Sequence, residues 1–365
     1  MSLEDHTKSI SRKILLNPGP GTTSRRVKEA QIVEDICPRE SEFGQLMHDM
    51  CEGLLTIGKC NDTHSVALFG ASGTGAMEAT LVSAIGSNDH VLIITNGAYG
   101  IRMKSICEGY KINHSAIFEF GDYPDVNLLR EELNTKKYTH LIMVHHETST
   151  GMMDPLEEVA ALCRETDVRL IIDAMSSFGA YPMNLSELGI DYLFSSSNKC
   201  IHGFAGLSYV IFRNDRKDEL KANGKGFYFD VYKQWENLQN KNQLRFTPPV
   251  QVCYAFNEAI KETLEEGVEN RWKRYQGNWQ ILFDGLKSLG FTPFLKDEHQ
   301  SKILLALDLD GTINFNGFHD YLFQYGITIY PGVIPESNTF RVAVIGDLYP
   351  EDMEYVMDMI RAYFK

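Results

Sequence analysis

Between residues 64 and 212, short apolar runs poor in charge alternate with amphipathic stretches, and no other feature of the sequence narrows the possible folds as far. The runs lie at 65–69, 91–95, 116–120, 140–144, 169–172, 192–195 and 206–212. Their Val, Ile, Leu and Phe content is that of strands buried on both faces. Amphipathic stretches at 76–85 and 155–164 lie between them. Strand–helix alternation predicts an α/β fold with a mainly parallel, seven-stranded sheet covered by helices. Such sheets hold ligands at the carboxyl ends of their strands. The polar residues to read chemically are therefore Ser72 to Thr74, Asn96 to Tyr99, His145 to Thr148, Asp173, and Ser197 to Lys199.

After Pro249 the pattern changes. Residues 252–289 look helical, with a break near Gly267. A strand at 302–309, a helix at 318–325, strands at 328–330 and 340–344, and a final helix from Pro350 follow. That is the make-up of a small α+β domain. The expected organisation is an N-terminal arm over 1–20 associated with the small domain, a large ligand-binding domain over 21–262, and a small C-terminal domain over 263–365. A chain of 365 residues that is 43% hydrophobic is long enough for a large core and a smaller second one.

The formal net charge of -14 argues against non-specific nucleic-acid binding, which needs a basic face, but leaves room for a local basic pocket. The seven cysteines are odd in number and form no CxxC pair, which reads as reduced thiols and not as a disulfide framework or zinc site. The first twelve residues are polar and lack the apolar core of a signal peptide. No apolar run approaches the roughly 20 residues that span a bilayer. The expectation is a soluble, cytoplasmic protein with no membrane or nucleic-acid partner and no metal.

Three features carry chemistry. Lys199, in Ser-Ser-Ser-Asn-Lys-Cys, follows a strand among small polar residues. It is either a solvated lysine or an amine whose pKa is lowered for Schiff-base chemistry. Asp173 directly follows Leu-Ile-Ile. A buried carboxylate there needs a cation, such as a protonated pyridine nitrogen, unless it caps the next turn. Gly70-Ala-Ser-Gly-Thr-Gly-Ala-Met-Glu78 is either a tight turn or a cradle for a single phosphate at a helix N-terminus. It lacks the GK[ST] of a P-loop and the spacing of a dinucleotide fingerprint. If a pyridine ring sits among these, Tyr99 could stack on it, Thr148 could hydrogen-bond near its hydroxyl, and Arg341 could bind a substrate acid with both prongs.

Together these stretches resemble the fold-type I pyridoxal-phosphate (PLP) enzymes of the class V aminotransferase group, over essentially the whole chain. The matching segments are Leu-Asn-Pro-Gly-Pro-Gly-Thr-Thr-Ser (16–24), Asn-Gly-Ala-Tyr-Gly (96–100), His-His-Glu-Thr-Ser-Thr-Gly (145–151), Asp-Ala-Met-Ser-Ser-Phe-Gly (173–179), Ser-Asn-Lys-Cys-Ile (197–201), Phe-Thr-Pro-Pro (246–249) and Ile-Tyr-Pro-Gly (329–332). Within the group the sequence is most similar to the branch that transfers the amino group of 2-aminoethylphosphonate to pyruvate. The resemblance implies that Lys199 and Asp173 are catalytic, Lys199 as the Schiff-base lysine and Asp173 as the pyridinium partner. Ser72, Gly73 and Thr74 become phosphate ligands with Asn198 beside them, and Tyr99 the stacking ring. Thr247 becomes a residue that reaches the phosphate of a neighbouring subunit, which implies a homodimer with shared active sites. Arg341 becomes the grip on the acid group of each substrate, an amine and a 2-oxo acid in turn, with Gly19 also at the substrate site. Pro331-Gly332-Val333, Gly203-Phe204-Ala205-Gly206 and Cys37-Pro-Arg-Glu40 depart from patterns found in relatives, all near the expected substrate mouth.

Other readings are an alanine–glyoxylate or serine–pyruvate aminotransferase, a cysteine desulfurase-like lyase using Cys200, and a non-catalytic binding protein. Leu-Asp-Leu-Asp-Gly-Thr (307–312) imitates the nucleophile motif of a phosphatase family, but too little chain follows it for that fold. A strand ending in a tight Asp-Gly turn is the simpler account. The adjacent His145 and His146 point opposite ways on an extended segment and suit a cofactor-pocket loop better than a metal site.

Overall fold

The computed structural model describes residues 12–309, 311, 313–335 and 337–365. Asp310 and Thr312 of the phosphatase-like motif, and most of the N-terminal arm, lie outside the described residues. Seven strands build the central sheet: β1 (His64–Phe69), β2 (Val91–Ile94), β3 (His114–Ile117), β4 (His140–Val144), β5 (Arg169–Asp173), β6 (Tyr192–Ser196) and β7 (Ser208–Arg213). Their order is β1-β7-β6-β5-β4-β2-β3. Only β7 runs antiparallel, against both β1 and β6. The inner strands β4, β5 and β6 are almost wholly buried, which is why their sequences carry so little charge. Register places Val144 beside Asp173 and Asp173 beside Phe194. Three adjacent strands thus end side by side, and the loops that leave them are forced into contact.

Helices cover both faces. They include α1 (Ser41–Ile57), α2 (Gly73–Ala84), α3 (Ala98–Gly109), α4 (Leu156–Thr166) and α5 (Val250–Glu266). One core cluster packs β-sheet residues such as Leu141, Leu170 and Leu193 against α1, α4 and α5; another packs Ile93, Ile142 and Ile171 against α2 and α3. Successive side chains of an extended strand point to opposite faces, so the neighbours Leu141 and Ile142, and Leu170 and Ile171, enter different clusters.

Gly267, at a φ of 78°, breaks the helical run and starts α6 (Val268–Ser288). A third cluster begins there: Tyr275, Trp279, Leu282 and Leu286 of α6 pack with a second sheet, with α7 (Phe315–Gln324) and with α8 (Pro350–Tyr363). That four-stranded sheet has the order β8 (Thr292–Pro293), β9 (Leu304–Asp308), β11 (Thr339–Ala343), β10 (Tyr330–Pro331). The change of core falls between Val268 and Tyr275. The N-terminal segment Ile14–Leu15 pairs in parallel with Ile327–Thr328 and buries Ile14 and Leu16 in the third cluster. The single strand expected at 328–330 is therefore two short ones on either side of Ile329, one serving the arm and one the sheet.

Arg271 of α6 ties the two regions together. It is 1% exposed, and donates to Glu266 Oε2 at 2.7 Å, Thr263 Oγ1 at 2.9 Å and the Cys200 carbonyl at 2.7 Å. Removing it leaves the buried Cys200 carbonyl without this donor, while Glu266 keeps Arg274 as a partner, and an unsatisfied buried group costs about 1–3 kcal/mol. Arg271→Ala is expected to lower the urea unfolding midpoint clearly; an unchanged midpoint would show that the network does not support the fold.

Candidate active site

Where the strands of the large sheet end lies a cavity of about 430 Å³. Its lining includes Ser72, Gly73, Thr74, Tyr99, Thr148, Asp173, Asn198 and Lys199, so eight of the eleven expected site residues share one cavity. They come from five strand ends: β1 leads to 72–74, β2 to Tyr99, β4 to Thr148, β5 ends on Asp173, and β6 leads to Asn198 and Lys199.

Lys199 sits in a tight turn in which Gly203 N–H donates to the Ser197 carbonyl at 2.7 Å and His202 N–H to the Lys199 carbonyl at 3.0 Å. Its Nζ donates to the Pro18 carbonyl at 2.6 Å. Burial brings its pKa down to about 8, and the charges of Arg341 and Arg102 push the same way against Asp173. An amine at that value is a usable base and nucleophile near neutral pH. Asp173 is 1% exposed; its Oδ1 accepts from Met175 N–H at 2.9 Å, and its Oδ2 has no hydrogen-bond partner. Burial, with Glu147 adding to it, raises the carboxyl to about 7.

At the other end of the cavity α2 begins. Its N-cap, Ser72, makes no side-chain bond to its own helix, and Gly73 and Thr74 are the first helical residues. Free N–H groups at a helix start form an anion site. Arg102 also lines the cavity. Its guanidinium lies 4.7 Å from the centre of the Tyr99 ring and its Nη1 donates to Thr74 Oγ1 at 3.3 Å. Sequence reasoning did not single out Arg102, although it stands three residues after Tyr99 and so shares its helix face. Met77, Met175, Ser176 and Ser196 were given no role, whereas Ala205 and Gly206 belong to the 203–206 segment expected near the substrate mouth.

Two more lining atoms lack partners, Thr148 Oγ1 and His146 Nε2, both in residues at most 3% exposed. His146 Nδ1 lies 2.8 Å from the Ser176 carbonyl and so carries the proton, leaving Nε2 as an acceptor. Burial holds this imidazole down to about 4, so it is neutral. Buried polar groups are rarely left without partners. An unpaired carboxylate oxygen, hydroxyl and imidazole nitrogen around one cavity, with a phosphate-type cradle at its end and a depressed lysine at its side, fit a protonated pyridine bearing polar substituents, a phosphate and a carbonyl.

The three remaining residues lie outside this lining. Gly19 packs on Lys199, and a Cβ there would stand 2.4 Å from Lys199 Cδ. Arg341 is 5% exposed and donates through Nη1 to the Thr148 carbonyl and through Nε to the Pro331 carbonyl, each at 3.1 Å. No carboxylate forms an ion pair with it among the described residues. Thr247 is exposed, beside Gly70 at the edge of the cradle. Among the described residues there is no metal-binding group of side chains, and no helix is long and apolar enough to cross a membrane. The Cys200 thiol is buried in the third cluster, where burial pushes it up to about 12, a poor starting point for a nucleophile.

A mainly parallel sheet with a lysine and a buried acid at its carboxyl edge defines a fold-type I PLP enzyme. The chain belongs to the class V aminotransferase family, whose model matches residues 40–334. It is 39% identical to the 2-aminoethylphosphonate–pyruvate transaminase of Bacteroides fragilis over 355 residues, covering 95% of this chain and 98% of the relative. It is 38% identical to the bifunctional phosphonoacetaldehyde hydrolase/aminoethylphosphonate transaminase of Clostridioides difficile, covering 96% of this chain and 56% of that one. The crystal structure of ureidoglycine–glyoxylate aminotransferase from Bacillus subtilis superimposes with a TM-score of 0.89 at 25% identity, over 97% of this chain and 93% of that one. The family implies pyridoxal 5'-phosphate, and the unpaired polar atoms of the cavity fit that group.

In the cofactor-free protein, Lys199 should become reactive as pH rises through about 8, well before a lysine at 10.5 loses its proton. Competitive labelling with an amine-directed reagent across pH, read by peptide mass spectrometry, checks this. A midpoint for Lys199 near 10.5 would contradict the desolvation described above.

Proposed function

We propose that this protein is an aminotransferase that moves the amino group of 2-aminoethylphosphonate to pyruvate, giving phosphonoacetaldehyde and L-alanine, or runs the reverse. The observation that carries the chemistry is that Lys199 and the unpartnered oxygen of Asp173 face one cavity. The choice of substrate pair is supported by likeness to relatives of that name along almost their whole length. Bound PLP supplies an electron sink next to the amine-bearing carbon.

In this reading Asp173 Oδ2 holds a proton on the ring nitrogen, and that cation returns the carboxyl to its ionised form. Ser72, Gly73 and Thr74, with Asn198 beside them, bind the phosphate, and Tyr99 covers the ring. Thr148 Oγ1 bonds beside the ring hydroxyl. Lys199 would hold the cofactor between turnovers, and its freed Nζ would be the base that takes the proton from the amine-bearing carbon of the substrate and the acid that gives one back. Such general acid–base action is worth roughly 10²–10⁴-fold. Arg341 binds the phosphonate in one half-reaction and the carboxylate in the other, for which its planar fork suits both. Gly19 lets the N-terminal arm approach Lys199 at the substrate end. Thr247 reaches the cradle of a second subunit in a homodimer with shared sites. Product of one half leaves before the second substrate enters, so the kinetics are ping-pong.

Mixing the PLP-loaded protein with 2-aminoethylphosphonate, alanine, serine or cysteine, and following the cofactor's visible absorbance, tests the substrate pair. The first two should convert the cofactor rapidly. Fast reaction with serine and none with the phosphonate would replace this reading by an alanine–glyoxylate or serine–pyruvate aminotransferase. Lys199→Ala should reduce turnover by at least about 10²-fold, and normal transamination by it would refute the assignment. Arg341→Ala should raise KM for both substrates by about 10–100-fold, the worth of a charged hydrogen bond. Unchanged KM for both would remove it from the substrate site.

A further inference from the structure

Glu147 is fully buried, lies directly beside the cavity, and is given no part in the chemistry above. Among the described residues it forms no salt bridge. Its hydrogen bonds are unusual in kind, since they hold a helix that begins fifty residues earlier in the chain. Oε2 accepts from Tyr99 N–H at 3.0 Å. Oε1 accepts from Ser149 N–H at 3.0 Å and from Ser149 Oγ at 2.6 Å. Ser149 Oγ in turn accepts from Ala98 N–H at 3.1 Å.

These bonds satisfy the first N–H groups of α3, which its own N-cap cannot do because that residue is Gly97. Glycine is needed at 97 for space. A Cβ there would stand 2.2 Å from Glu147 Cγ. The carboxylate also meets the positive end of the α3 dipole, where an anion is favoured. The intervening residue, Thr148, turns its hydroxyl toward the cavity and its carbonyl to Arg341 Nη1. Burial raises the Glu147 carboxyl while the hydrogen bonds it accepts pull it back down; a neutral cap would satisfy the same N–H groups, so a buried acid is an expensive choice unless orientation depends on it. The next residue of α3 to reach the cavity is Arg102, stacked on Tyr99.

We propose that Glu147 is a positioning residue: it docks on the start of α3 and so fixes the Tyr99 ring, with Arg102 upon it, over the cofactor cavity. It acts through Tyr99 and not on the substrate. This inference rests on the reading that Tyr99 covers the PLP ring.

The test is a double-mutant cycle on PLP affinity, using Glu147→Gln and Tyr99→Ala, with the visible circular dichroism of the bound cofactor as a second readout. Glu147→Gln keeps the shape but turns an amide donor toward N–H groups. It should weaken PLP binding about ten-fold and change the dichroism of the bound ring, whereas in the Tyr99→Ala background it should cost less than two-fold, as coupled residues behave. Equal losses in both backgrounds, or no loss in either, would overturn the proposal. If Glu147→Gln does not fold, Ser149→Ala, which removes the bridge to Ala98 N–H, takes its place in the same cycle with the same expectations. Failure of the parent protein to bind PLP would overturn the cofactor reading instead, so the two failures are distinguishable.

Discussion

An ionisable oxygen sealed at the end of an apolar strand is the constraint around which the rest of this structure is arranged. Asp173 closes β5 between two other buried strands, and one of its oxygens faces the cavity with nothing to bond. Leaving such a group unpaired costs several kcal/mol. The protein alone answers by raising the carboxyl to about 7, toward the neutral form. A cation supplied from outside gives a better answer, and the geometry leaves room for one. Around the same cavity stand the start of α2, Tyr99 and Lys199, the groups to which the proposed function gives the phosphate, the ring face and the aldehyde carbon.

The distribution of charge follows from the same demand. The chain carries a net charge of -14, yet the cavity presents Lys199 and Arg102, with Arg341 bonded to the carbonyl of the lining residue Thr148. Anionic cofactors and substrates are drawn to a basic hollow in an acidic surface. The cost falls on Lys199, whose ammonium is disfavoured by burial and by both arginines. That penalty is useful, because it yields a free amine near neutral pH. Arg341 shows the complementary state: burial lowers its pKa, and two backbone carbonyls hold its guanidinium, one of them belonging to the loop that presents Thr148. The third core cluster thereby meets the cavity through this loop, as it does through Arg271 at the Cys200 carbonyl and through Pro18 at Lys199.

Much of the fold was legible because burial on both faces leaves a plain mark. All seven strands of the large sheet were visible as apolar runs, and their starts shift by two residues or fewer. What periodicity could not supply was partnership. The run near Ile329 reads as one strand, yet its two halves pair with different sheets, because the N-terminal arm must be accommodated. Asp173 and Lys199 were legible for the opposite reason, since a charge at the end of a buried run conflicts with its surroundings. Arg102 and Glu147 left weaker marks. Arg102 looks like any exposed helical arginine until Tyr99 is placed beneath it. Glu147 drew attention only beside His145 and His146 as a possible metal group, because its actual partner Tyr99 is distant in sequence. Contacts between strand-end loops depend on strand order, which the sequence pattern does not determine.

The central claim is that one particular amine carries the cofactor against the buried acid. Its most direct measurement is reductive trapping: the PLP-loaded protein is treated with borohydride, digested, and mapped by mass spectrometry. The account predicts one modified peptide, with the pyridoxyl phosphate mass on Lys199. The same mass on a different lysine, with Lys199 unmodified, would contradict it.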